Sequence, residues 1–182
     1  MDTAICVKAL SLTQPWASLV ATGAKRIETR TWPTRYRGPL AIHASMRFPA
    51  AERALARTHP FSDAISDPDA LPRGAVIAVV DLVDCIRTEE ALRRGLVGPR
   101  EVFFGDYSAG RWAWILGGPR LWGFDEPAGG RMQLWPWRPG SDPLRQAVAA
   151  WLERGATAVG IALARQVVEA AVADTLRWEP PA

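Results

Sequence analysis

The chain has 182 residues, 48% of them apolar and 23% charged, the proportions of an ordinary globular chain long enough to bury a core. Its two cysteines, Cys6 and Cys85, lie far apart without a CxxC spacing, which argues against a disulfide framework and for two buried thiols in a reducing cytoplasm. With only His43 and His59 besides, a four-ligand zinc site is not expected, and the net charge of +3 leaves nucleic acid and small-molecule partners both open.

In chain order, residues 4–12 (AICVKALSL) predict a first strand. TQPWASLVATG predicts a short helix, with Thr13 as N-cap, Pro15 in the first turn and Gly23 as its stop. Residues 26–31 and 39–44 predict two further strands joined by a Pro/Gly/Arg loop, and PAAERALAR a second short helix. Residues 58–73 carry His-Pro, Asp-Pro and Leu-Pro steps and predict a surface loop. GAVIAVVDLVDCI (74–86), rich in Val and Ile, is the clearest strand, followed by a polar helical piece at 88–95. RWAWILG (111–117), RLWGF (120–124) and RMQLWPW (131–137) are short strands between Gly/Pro turns.

This pattern predicts an α+β fold: a small mixed, mostly antiparallel β-barrel with inserted short helices, over residues 1–138. Residues 139–182 form a helical C-terminal extension, opened by Ser141-Asp142-Pro143 and carrying Ile161, Ala164, Val168, Ala171 and Val172 at helical spacing. That stripe is expected to pack on the barrel or to support a homodimer. The apolar run at 156–173 is interrupted by Arg165 and Glu169, so no membrane span is expected, and the N-terminus does not read as a signal peptide. The expectation is a soluble, cytoplasmic protein without a cofactor or metal.

Chemistry concentrates in GAKRIETRTW and the residues after it. Of the 22 basic residues only Lys8 and Lys25 are lysine, and Lys25 follows the helix-stopping Gly23 at a corner from which its stem reaches either face. Glu28 and Arg30 sit two apart on a strand and share a face. A carboxylate held ionised beside Lys25 and Arg30 orients an amide or a water, and a desolvated Lys25 serves in proton transfer or carbonyl polarisation. Asp106, in the turn-rich FFGDYSAGRWAW, either caps that turn or adds a second carboxylate. Glu28, Lys25 and Asp106 are therefore the candidate catalytic residues. Trp16, Trp32 and Tyr107 offer stacking surfaces, and Arg30 and Arg111 offer charge for a nucleotide or RNA strand. His43, which faces opposite to Ile42 and Ala44, and Ser45 complete the candidate ligand contacts. The alternative throughout is a solvated ribbon whose surface ion pairs contribute little, with most of the nine Trp in the core. Glu89, Glu90 and Glu101 read as solvated.

QPWASLVATGAKRIETRTW, with its G-x-K-x-x-E-x-R core, followed by YRGPLAIHAS, FGDYSAGRWAW and RMQLW, resembles the ASCH domain family over about residues 9–137. That family is related to the RNA-binding PUA domains and shares their small barrel. The resemblance implies RNA or a modified nucleoside or nucleotide bound between the Lys-bearing helix end and the barrel. Some small bacterial members are amidohydrolases acting on N4-acetylcytidine through a Lys, a Thr three residues later and a more distant Glu. Lys25 matches the Lys, whereas Glu28 stands at the Thr position with Thr29 adjacent, and Glu89, Glu90 and Asp106 are all open for the distant acid. Ribonuclease activity and non-catalytic coactivator-type binding are also implied by other members. Three readings follow: an RNA- or nucleotide-binding module, a hydrolase of an N-acylated nucleoside or RNA, and a partner-binding structural protein.

Overall fold

The computed structural model of the protein describes residues 5–155. Seven strands are present in this span: β1 (Val7–Leu12), β2 (Ile27–Arg30), β3 (Gly38–Ala44), β4 (Ala75–Arg87), β5 (Trp112–Leu116), β6 (Leu121–Pro127) and β7 (Leu134–Trp137). Between and after them lie four helices, α1 (Trp16–Ala21), α2 (Ala50–Leu55), α3 (Thr88–Arg93) and α4 (Asp142–Gly155), and two 3₁₀ turns, Pro68–Ala70 and Glu101–Phe104.

The strands form one mixed sheet in the order β2-β5-β4-β3-β1-β7, with β6 paired to β4 off this path. The Val- and Ile-rich β4 organises it. At 13 residues it is long enough for β6 to pair along Ala75–Val79 and β5 along Leu82–Arg87, while β3 runs antiparallel from Leu82 back to Ala75. Register shifts between Val76 and Ala78 and between Leu82 and Asp84 bend so long a strand and re-aim its side chains. The β1–β3 ladder is parallel, the crossover being made through α1 and β2.

Both faces of the sheet are buried. Leu10, Leu12, Leu40, Ile42, Trp114 and Leu116 pack with Ala17, Val20 and Ala21 of α1 on one face. Val7, Ala9, Ala41, Val79, Trp135 and Trp137 pack with Val148 of α4 on the other. A smaller cluster joins Leu19, Phe61, Ile65 and Phe104.

The α+β class holds, but the expected barrel does not close. Closure requires each strand to have two neighbours, whereas β2 pairs only with β5 and β7 only with β1. β2 still reaches across to the strand next to the other end, since the Arg30 guanidinium donates to the Ser11 carbonyl on β1 (3.3 Å). Three local expectations also change. Thr13 does not cap α1 with its side chain; the buried Gln14 instead accepts from the Ser18 amide (3.1 Å) and donates to the Pro72 carbonyl (2.8 Å). The 58–73 segment is no mere surface loop, because Phe61 and Ile65 are driven under α1 by their apolar bulk. Cys6 is exposed and only Cys85 is half-buried, both as free thiols. Among the described residues no helix is long and apolar enough to cross a membrane. The helical stripe from Ile161 to Val172, and the homodimer it was expected to support, lie outside the described residues.

Candidate functional site

Gly23 leaves α1 with a φ of +79°, a conformation that costs a residue with a Cβ, and so turns the chain toward β2. This corner carries Lys25 beneath the 3₁₀ turn at Glu101–Phe104. The Lys25 side chain is wholly enclosed: its Nζ donates to the carbonyls of Ile27 and Phe104 (2.8 Å to the latter). It also stands 3.5 Å from Glu28 Oε2 and 3.9 Å from Glu101 Oε1. A buried ammonium is tolerable only with such a set of acceptors. Its three compact donors fit among two carbonyls and two carboxylates where a planar guanidinium would not, which accounts for a lysine here in a chain rich in arginine.

Glu101 is the acid that sequence reasoning missed. It is buried, not solvated, and its carboxylate accepts from the backbone amides of Arg26 (2.9 Å) and Ile27 (3.1 Å) at the start of β2. Desolvation pushes its pKa up, opposed by the Lys25 charge and the two amides. Glu101 and Lys25 together clamp the 3₁₀ turn onto the entry to β2.

Strand alternation puts Glu28 and Arg30 on one face, opposite Trp114 and Trp112 of β5. Glu28 is nearly buried, with Oε1 3.0 Å from Arg30 Nε and Oε2 facing Lys25. Arg30 is thereby tied between Glu28 and the Ser11 carbonyl. One register position further along, Trp112 lies between Arg30 of β2 and Arg87 of β4, and the Arg87 guanidinium sits 4.1 Å from the Trp112 ring centroid. Arg30, Trp112 and Arg87 thus form a row across three strands beside Glu28.

Thr29 points to the other face, where its hydroxyl accepts the Asp106 amide (3.0 Å). Gly105 makes this contact feasible, since a Cβ there would stand 3.1 Å from both Thr29 Cγ2 and Tyr107 Cε2. A cleft of about 310 Å³ opens here, lined by Glu28 and Thr29 of β2, by Trp16 of α1 and by the Phe103–Asp106 segment. Phe103 is 55% exposed at the rim, whereas Phe104 is buried against Phe61.

Asp106 caps its turn, the first of its two expected roles. Its Oδ1 accepts from the Ser108 amide (3.0 Å) and closes the turn, while the residue also lines the cleft. The Ser108 hydrogen bonds, with help from Arg111 at 3.3 Å, hold its carboxyl below the usual range. The Tyr107 hydroxyl is buried beside the same acids. Burial, Glu101 and Glu28 keep it protonated far above the usual phenol value.

The structure therefore brings Lys25, Glu28, Arg30, Thr29, Glu101, Asp106, Tyr107 and Trp16 together. Arg111 joins them through its ion pair with Asp106, whereas Trp32, His43 and Ser45 make other contacts. Trp32 packs edge-on to Trp114 (4.7 Å between centroids), and its carbonyl accepts the Trp114 indole. His43 lies on the opposite sheet face against Trp135, with Nε2 at 2.9 Å from the Ala128 carbonyl and its pKa pushed down by burial. Ser45 Oγ accepts the Arg47 amide at the end of β3. Glu89 holds the Gly110 amide (2.7 Å), and Glu90 pairs with Arg93 and Arg94, so neither reaches Lys25's surroundings as Glu101 does.

A family model described as ASCH domain matches residues 10–99. Human activating signal cointegrator 1 is 36% identical over 85 residues, covering 44% of this chain and 15% of that protein. The mouse protein of the same name matches to the same extent. The chain thus spans a small part of these relatives' length, and the cleft wall at 103–106 lies just beyond the matched family segment. With Lys25, Glu28 and Arg30 inside that segment, the chain belongs to the ASCH domain family through residues 10–99.

Proposed function

We propose that the chain binds RNA, receiving a nucleobase in the cleft at Glu28 and Thr29 and passing the strand's backbone across the Arg30–Trp112–Arg87 row. The observation that carries this reading is the juxtaposition of an aromatic-walled cleft with that row. Single-strand binders combine the same two elements, stacking surfaces for bases and guanidinium charge for phosphates. The kinship of ASCH domains with RNA-binding PUA domains supports it. Lys25 acts as a positioning residue, because its donors are engaged internally and its side chain has no exposed surface. It fixes Glu28 and the 3₁₀ turn rather than touching the ligand.

Salt-titrated binding to RNA hexamers tests the proposal. Log Kd should rise linearly with log salt, with a slope corresponding to two or so phosphate contacts at roughly 0.7 per contact. Replacing Arg87 with Gln should lower that slope by about one contact. Absence of binding at low salt, or binding insensitive to salt, would overturn the reading.

A second reading, hydrolysis of an N-acylated nucleoside, is favoured by one specific observation. Lys25 and Glu101 stand 3.9 Å apart and the Thr29 hydroxyl accepts from Asp106 beside the cleft, and Lys, Thr and Glu are the residue types that the amidohydrolase members of the family use. Turnover of N4-acetylcytidine by the wild-type protein that Glu101→Gln abolishes would support it. No turnover would remove it.

A further inference from the structure

The cleft lining presents carboxylate hydrogen-bond acceptors. Glu28 carries only acceptor oxygens, and a second carboxylate, Asp106, stands at the wall. Lys25, the nearest ammonium, has no exposed surface and spends its donors on Ile27, Phe104 and the two glutamates. The Glu28 charge is already balanced by Lys25 at 3.5 Å and Arg30 at 3.0 Å. An anionic group entering the cleft would meet two carboxylates, and a cation would find Glu28 already neutralised. A neutral, planar donor suffers neither penalty. It can pair with the open lone pairs of Glu28 while its ring lies against Trp16 and Phe103.

From this geometry we infer that Glu28 is a specificity-determining residue that selects nucleobases bearing an exocyclic amine, cytosine, adenine or guanine, over uracil. The inference rests on the RNA-binding reading. A carboxylate accepts from the cytosine N4 amine, whereas uracil offers a carbonyl oxygen at the corresponding edge position and repels it. Glu28 is suited to this task because one of its oxygens is held by Lys25 and the other by Arg30, which restrains the carboxylate from rotating away from an unfavourable partner.

The test is fluorescence polarisation with fluorescein-labelled C6, A6 and U6 RNA at one low salt concentration. The expected result is C6 and A6 bound about tenfold more tightly than U6, in line with one base contact. Glu28→Gln, whose amide donates as well as accepts, should bring the three within twofold. A C6 analogue built from N4,N4-dimethylcytidine repeats the test on the unmodified protein, and should bind no better than U6. Equal binding of C6, its dimethylated analogue and U6 would overturn the inference while leaving RNA binding intact. A preference that Glu28→Gln preserves would also overturn it. Failure of every hexamer to bind, or tighter binding of a trimethyl-lysine peptide than of any hexamer, would overturn the RNA-binding reading as well.

Discussion

Replacing Lys25 with Met keeps the length of the stem and removes the charge. In the native protein that charge faces Glu28 at 3.5 Å and Glu101 at 3.9 Å, both with side chains about nine-tenths covered. Deleting one partner of a buried ion pair leaves an uncompensated charge and costs about 3–5 kcal/mol. The Ile27 and Phe104 carbonyls lose their donor too, which moves the expectation to the upper end of that range. Against a total stability of about 5–15 kcal/mol the variant should remain folded but marginal. Urea unfolding followed by tryptophan fluorescence reads the loss, with Trp114 fully buried as the core reporter. The pH dependence has a definite sign. The folded-state pKa of Glu101 is raised above its unfolded value of 4.5, so the native state binds the proton more tightly. Stability from this group is greatest below that unfolded value and falls as pH rises through the folded one. Without Lys25 the folded pKa rises further, so the penalty should be larger at pH 7 than at pH 5. A loss below about 1 kcal/mol, or one equal at both pH values, would refute the account of Lys25 as the clamp of the site.

Phe103→Ala should weaken RNA hexamer binding about tenfold, the effect of one lost stacking contact, while leaving Tm within a degree or two, because the ring is 55% exposed. Gly105→Ala should displace the turn from Thr29 and Tyr107, and isothermal titration should show reduced affinity with little change in the salt slope. His43 should titrate by NMR below the usual imidazole value of 6.5. Its neutral, buried form makes stability fall as pH drops below about 6.5, and His43→Gln should flatten that dependence without altering RNA binding.

Much of the site was legible in local sequence because it depends on local geometry. The two-residue spacing of Glu28 and Arg30 placed them on one face, and Gly23 announced the corner that aims Lys25. The parity of His43 against Ile42 and Ala44 placed it on the other face, but the sequence did not reveal that this face is packed by Trp135 rather than open to ligand. Glu101 was illegible for a different reason. Its partners, the amides of Arg26 and Ile27, are 75 and 74 residues away, and EVFF in a 3₁₀ turn has no periodicity to mark a buried side. The missing barrel closure has the same origin. Six or so short strands with helices inserted read as a small barrel, but the branching of β5 and β6 from one edge of β4 is set by long-range register, which composition does not encode.

The central claim, that nucleic acid enters the cleft at the β2 edge, is tested most directly by mapping amide chemical shifts of the 15N-labelled protein during titration with C6 RNA at low salt. The account predicts that the largest shifts fall on Trp16, Thr29 and Phe103–Asp106, with Arg87 and Trp112 following as the backbone track. The groove between β6 and α4, near Phe124 and Leu144, should stay silent. Shifts centred on that groove or on the His43 face, with the β2 edge unmoved, would contradict it.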